Sequence, residues 1–388
     1  MTNGAPVSVV SGQSAQANGR EAATANLPPP TAGALLTWAL CTPTLNRVDV
    51  LLLAIGCALA QTRPPSEVII VDAGDNWQAD RARVEQTLAP HPAVRLVYLH
   101  SPVRSITHQR NLATHAATAD ILFCLDDDTL MYPDCAETIL QVYEADPAQA
   151  IAGVTANNDP VSPLAAPEIE RKLSGLHDKA KHSGTRHRIT RWIWREIFLM
   201  DTLRLFVPYD SNRRTTTEDD VTRLGQPDLF PALTMIGFAM TVRRSVALAE
   251  PFDPWLLSYS PCEDTDGSYR YSRHGLLVVA SKARLHHYEV AAARLNRHRV
   301  AALFLLNVAF FTRQHSDDLP HHRQLYFSLA RRRVLAEFLK DGLSLRFRFP
   351  QLRGTLYALR RAPAIFDHPD ARLGEDYQAI QREVLTWS

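Results

Sequence analysis

The chain has 388 residues, 46% of them hydrophobic, with 42 Lys and Arg against 41 Asp and Glu. That is enough to bury the core of one large domain or one and a half, and the balanced charge argues against a nucleic-acid partner, leaving electrostatic recognition to local patches. Five cysteines (Cys41, Cys57, Cys124, Cys135, Cys262) form no CxxC pair and no apolar run approaches the roughly 18 residues that span a bilayer, which points to reduced thiols in a cytoplasmic protein, free or peripheral on the inner face of the membrane.

Residues 1–33 are rich in Ala, Ser, Gly, Asn and Pro without an apolar core, and read as a disordered tail, not a signal peptide. Residues 34–47 then read as a buried strand ending in a Thr-Pro-Thr turn. The apolar spacing of 48–62 predicts a helix that stops before Pro64-Pro65. Strands are expected at 66–75, 94–100, 121–125 and 150–157, and helices at 77–91, 105–120 and 135–147. Continuous apolar strands alternating with helices mean a mainly parallel sheet covered on both faces. Such sheets bind ligands beyond the carboxyl ends of their strands. Pro43 to Arg47, Asp72 to Asp75, Arg104 and the triplet Asp126-Asp127-Asp128 all fall there. With no GxGxxG or GxxxxGK[ST] near the first strand, a dinucleotide fold or P-loop is unsupported.

Three adjacent carboxylates repel one another, so the run ILFCLDDDT needs compensation. A hard dication such as Mg²⁺ takes one or two carboxylates together with substrate phosphates. Asp126 and Asp128 share a side if the chain stays extended, leaving Asp127 to face elsewhere. The bland alternative is a solvated acidic loop with Asp128 capping the next helix. An EF-hand loop is excluded by Met131 where Gly is required.

TPTLNR, PPSEVIIVDAGD, HQRNLATHAATADILFCLDDDTLMYPD, GFAMTVRRSV and PCEDTDGSYRYSRHG together resemble the family 2 glycosyltransferases of GT-A fold, over roughly residues 35–290. The resemblance implies an α/β nucleotide-binding sheet and an inverting, metal-dependent transfer from a nucleoside-diphosphate sugar. Asp128 would hold Mn²⁺ or Mg²⁺, and Asp126 would contact metal or ribose. Thr42, Pro43, Thr44 and Arg47 would line the nucleotide with Asp127, Asp72 would meet the base, and Arg104, Arg110 and Asn111 would lie near the phosphates. Glu263-Asp264 match the family's acidic pair, whose Asp is the usual general base; the alternative is an acidic helix N-terminus. A histidine at the end of 276–290 would complete the metal site, His287 by phasing, with His286 left open.

Residues 168–220 break the alternation and read as a variable acceptor-side insertion in the domain spanning 34–290. Its Trp192, Trp194 and Phe198 are read as core first, with stacking on a sugar in the acceptor cleft as the alternative. From Ala291 to 388 the pattern is helical, and residues 291–363 carry 14 Lys or Arg against four acids. Apolar-basic helices of this kind suit an anionic membrane surface. The expected acceptor is a glycan or lipid-linked hydroxyl in cell-surface polysaccharide or glycolipid synthesis. The rival readings are a nucleotidyltransferase acting on sugar phosphates and an inactive homologue serving as an assembly partner.

Overall fold

The structure is a computed structural model and describes residues 35–164, 192–193, 215–226, 228–288 and 295–387. The expected tail, most of the 168–220 insertion, Trp194 and Phe198 lie outside these residues. Trp192, expected in the core, is exposed.

The first half alternates as the apolar pattern requires: β1 (Trp38–Thr44), α1 (Val48–Leu59), β2 (Glu67–Asp72), α2 (Trp77–Leu88), β3 (Arg95–His100), α3 (Ile106–Ala116) and β4 (Ile121–Cys124). These four strands pair in parallel in the order β3-β2-β1-β4. Side chains alternate across each strand. Ile121 and Phe123 therefore join the core on one face, and Leu122 and Cys124 the core on the other. Two buried faces explain why these strands read as unbroken apolar runs. All five cysteines are buried and reduced.

The second half departs from the simple alternation. A short strand β5 (Thr129–Met131) follows the aspartates at once, before α4 (Cys135–Glu144) and β6 (Ile151–Asn158). From the end of the insertion onward come α5 (Glu218–Arg223), β7 (Leu229–Pro231), β8 (Met240–Arg243), α6 (Arg244–Ala249), α7 (Glu263–Ser272) and β9 (Leu276–His287). The sheet continues β4-β8-β6-β9-β5, with β8 antiparallel to both neighbours and β5 antiparallel to β9. At three residues, β5 is too short to show a period, so its pairing with β9 had no signal in the sequence.

Four helices follow: α8 (Arg297–His315), α9 (Leu319–Leu343), α10 (Pro350–Phe366) and α11 (Leu373–Leu385). They enclose a second core around Phe310, Phe311, Tyr326 and Tyr377, which also takes in Leu256, Cys262 and Tyr269 from α7 and the loop before it. The expected basic amphipathic character fails for α8, whose residues Ala302 to Thr312 are all buried. Arg333 is also no surface cation, since it lies 4.1 Å over the Phe304 ring and pairs with Glu337. Gly354 lets α10 approach α8, because a Cβ there would stand 2.3 Å from the His298 carbonyl oxygen. No helix among the described residues is long and apolar enough to cross a membrane.

Candidate active site

Parallel strands deliver their carboxyl ends to one edge of the sheet, and the β1 and β4 ends meet there. Gln109 of α3 ties the edge together, its Nε2 donating to the carbonyls of Thr44 (2.9 Å) and Val71 (2.7 Å). The edge opens into a cavity of about 700 Å³, whose walls include Pro43, Thr44, Arg47, Arg104, the aspartate triplet and His287.

Arg47 answers much of the repulsion in the triplet. Its Nε donates to Asp127 Oδ2 (3.1 Å), its Nη2 to Asp127 Oδ1, and its Nη1 to Asp128 Oδ2 (3.2 Å). Thr44 Oγ1 also donates to Asp127, at 2.7 Å. Burial nevertheless lifts the Asp127 carboxyl to about 7, against the pull of Arg47. Asp127 is thus turned toward the β1 loop. Asp128 bridges the two sides, its Oδ2 held by Arg47 and its Oδ1 standing 3.2 Å from His287 Nε2 on the side that Asp126 shares. Phe238 stacks on the His287 ring at 4.3 Å. Asp126, Asp128 and His287 each offer one ligand atom, all within 4.8 Å of one another. Carboxylate oxygens with one imidazole form a donor set suited to Mn²⁺.

His286, left open as a ligand, is not brought to this cluster. The strand extends through both histidines, so adjacent side chains leave opposite faces, and His286 Nδ1 lies 2.9 Å from the Asp159 carbonyl.

Arg110 is buried and sits between the triplet and the acidic pair. Nη2 donates to Asp126 Oδ1 (2.9 Å) and the Gly237 carbonyl (3.1 Å), and Nη1 donates to Glu263 Oε1 (3.1 Å). Two carboxylates hold its pKa above the ordinary arginine value even against burial. The Gly237 N–H in turn donates to Asp264 Oδ2 at 3.1 Å. A Cβ on Gly237 would stand 3.2 Å from Arg110 Nη2 and 3.3 Å from Glu263 Oε1, so the close approach favours glycine. Burial, with Asp264 alongside, pushes Glu263 up to about 8. Burial also raises Asp264, against the hydrogen bond from Gly237. Helix α7 begins at Glu263, so the acidic pair occupies its first turn.

Three expected donor-side residues stand elsewhere. Asp72 is fully buried with its oxygens taken by the Gly74 N–H (2.6 Å) and Tyr98 hydroxyl (2.6 Å). Three residues on, Asp75 is exposed and pairs with the cavity-lining Arg104. Asn111 exchanges hydrogen bonds with the Phe252 backbone, at 2.8 and 2.9 Å. Thr42 is buried within β1 and is not on the cavity wall.

The loop that leads into α7 is held from two sides, and nothing in the sequence announced it. Ser105 Oγ donates to the Leu256 carbonyl (2.6 Å) from the sheet side. From the helical side, Asn307 Nδ2 donates to Ser260 Oγ and the Pro261 carbonyl, both at 2.8 Å, while Tyr377 donates to Asn307 Oδ1. Gln381 accepts from the Leu257 N–H (2.9 Å) and donates to the Trp255 carbonyl (2.8 Å). Within that loop Ser258 and Cys262 sit in the left-handed region, at φ 60° and 73°. Such strain persists only where surroundings impose it. The C-terminal helices therefore share with Ser105, Arg110 and Gly237 in positioning Glu263 and Asp264.

Residues 39–201 match the sequence model of glycosyl transferase family 2. A curated relative, the glucosyl-dolichyl phosphate glucuronosyltransferase of Haloferax volcanii, is 28% identical over 116 residues. That match takes in 30% of this chain and only 36% of the relative. Among solved structures, a mannosyltransferase of Pyrobaculum calidifontis in complex with GDP-Man and Mn²⁺ overlaps with a TM-score of 0.50 at 12% identity, covering 88% of this chain and 90% of that one. A GalNAc-T7 structure with UDP, GalNAc and Mn²⁺ overlaps with a TM-score of 0.48 at 12% identity, over 71% of this chain and 48% of that one. The aspartate-lined cavity lies at the ends of strands within the stretch that is similar to glycosyl transferase family 2, and the fold is of the GT-A type.

Proposed function

We propose that the protein is a metal-dependent, inverting glycosyltransferase that moves a sugar from a nucleoside diphosphate to an acceptor hydroxyl. The observation that carries this reading is the convergence of Asp126, Asp128 and His287 on the wall of the strand-end cavity. These three residues would hold Mn²⁺ or Mg²⁺, which supplies charge neutralisation for a departing diphosphate. Arg47 keeps Asp127 and Asp128 in place and lines the same cavity. The nucleotide is read as lying along Pro43, Thr44 and Arg47, with Arg104 at the rim.

Asp264 is the general base in this reading, and Glu263 is a buried partner of Arg110. An acceptor hydroxyl becomes an adequate nucleophile as a carboxylate takes its proton during attack. Asp264 is the more accessible of the pair, and the Gly237 and Thr265 N–H groups fix its oxygens at 3.1 and 2.7 Å. Arg110 joins metal site and base in one charged network, so both respond to the same geometry.

The acceptor is read as a glycan or lipid-linked hydroxyl in cell-surface polysaccharide or glycolipid assembly, on the cytoplasmic face of the membrane. The Haloferax relative, named for action on a dolichyl phosphate sugar, supports the lipid-linked form. The division at residues 290 and 291 follows from the same reading, with the sheet as catalytic unit and the four helices as its support.

The test is calorimetry of UDP-, GDP- and dTDP-sugars with Mn²⁺ or EDTA, on wild type and Asp128→Ala, followed by product analysis. Binding of one donor that needs Mn²⁺ and disappears in Asp128→Ala is expected, as is transfer of the sugar. Unchanged affinity in the variant would sink the metal assignment, and transfer of the nucleotide would make the protein a nucleotidyltransferase.

A further inference from the structure

We propose that the groove at α8 and α10, together with the turn joining α9 to α10, docks on an anionic phospholipid surface. This deepens the lipid-linked acceptor reading and rests on it for its biological use, but it stands on different residues.

The groove has a volume of about 1080 Å³, and its walls carry Arg297, Arg348, Arg353 and Arg360 with no acidic residue among them. All four arginines are exposed. Among the described residues, no carboxylate lies within ion-pair distance of them, whereas their neighbours Arg346 and Arg361 are matched to Asp341 and Glu383. Four unmatched guanidinium groups in one concavity make a field that asks for an anion. His298 in the same wall registers it: burial first, then Arg353 and Arg299, hold its pKa below the ordinary histidine value. The planar fork of arginine matches phosphate oxygens in pairs.

The turn beside the groove decides what carries the phosphate. Leu343, Leu345 and Phe347 are 77%, 73% and 73% exposed, interleaved with Arg346 and Arg348. Large apolar side chains this exposed and this close together mark an interaction surface. Leu345 and Phe349 hold φ of 54° and 48°, a region that bulky residues rarely adopt. A soluble phosphate would satisfy the arginines and leave these tips in water, and an apolar protein groove would do the reverse. A lipid surface satisfies both, with phosphates at the arginines and the apolar tips among the acyl chains. The 14-to-four excess of basic over acidic residues in 291–363 adds long-range attraction. Leu295 lines both this groove and the strand-end cavity, so a lipid phosphate seated here lies next to the donor side.

The experiment is co-sedimentation of the full chain with phosphatidylcholine vesicles, with and without phosphatidylglycerol, at low and high salt and in the absence of any sugar nucleotide. Wild type should bind the anionic vesicles in a salt-sensitive way and the neutral ones poorly. Each arginine at such a surface is worth roughly fivefold in partitioning, so Arg348→Gln with Arg353→Gln should weaken binding roughly 25-fold. Leu345→Ser with Phe347→Ser should weaken binding even at low salt. All four side chains are exposed, so native melting of each variant is the folding control; a pair that melts early is replaced by Arg348→Gln alone, with a roughly fivefold loss expected. Equal, negligible sedimentation with both vesicle types overturns the proposal. So does displacement of the protein by inorganic pyrophosphate together with full binding by the Leu345/Phe347 variant, which would make the groove a soluble-anion site. Because no donor is present, this outcome is independent of whether the transferase reading survives.

Discussion

Replacing Arg110 with Met keeps much of the side-chain volume while removing the cation between the two halves of the site. Its donations to Asp126 (2.9 Å), Glu263 (3.1 Å) and the Gly237 carbonyl (3.1 Å) all disappear. Removing one partner of a buried ion pair costs about 3–5 kcal/mol, because the remaining charge is left uncompensated. The Asp126 side chain keeps 23% of its exposure, and Glu263, at about 8, carries a proton at neutrality. The low end, about 3 kcal/mol, is therefore expected at pH 7. The deficit should also depend on pH. Folded Glu263 titrates above its unfolded value, so its contribution to stability is complete below the unfolded pKa and is lost as pH rises through about 8. Arg110 is a group that holds that value down. Without it, Glu263 resists ionisation to higher pH, and the gap between variant and wild type widens above pH 8 by up to about 1.4 kcal/mol per pH unit. Urea unfolding of the metal-free protein at pH 6, 7.5 and 9 measures this directly. A loss below about 1 kcal/mol at every pH, or a gap that shrinks toward pH 9, would refute the view of Arg110 as the central counter-ion.

Asp264→Asn should leave donor binding intact and lower transfer by roughly 10² or more, the scale of a general base; normal turnover with collapsed donor affinity would make Asp264 a binding residue. Asn307→Leu removes the donations to Ser260 and Pro261, and should reduce kcat more than donor affinity, as steady-state kinetics beside calorimetry would reveal; equal losses would mean a general destabilisation. Gly354→Ala forces a methyl against the His298 carbonyl, so thermal unfolding should report a loss of about 1–3 kcal/mol with donor binding unaltered in the folded protein.

Much of this protein was legible in the residue order because the relevant signals are local. Strands β1 to β4 are buried on both faces, so their apolar runs are continuous, and Pro64-Pro65 and Gly74 punctuate them. That local pattern also placed Asp126 to Asp128 at a strand end, where parallel sheets present their ligand-binding edge. Matters that depend on residues far apart in sequence were not legible. Asp72 looked like a cavity residue by position alone, but Tyr98, 26 residues away, draws it under the sheet edge. The choice between His286 and His287 waited on β5, whose pairing with β9 decides which ring faces the aspartates. Arg110, 153 residues from Glu263, could not be seen as their shared counter-ion before folding brought α3 against α7. The C-terminal helices were readable as helices, whereas their grip on the loop before Glu263 and the burial of α8 were not. Local propensity dictates what each segment becomes; which charges meet, and which carboxylates stay exposed to do chemistry, is set by the packing of segments that the chain order keeps far apart.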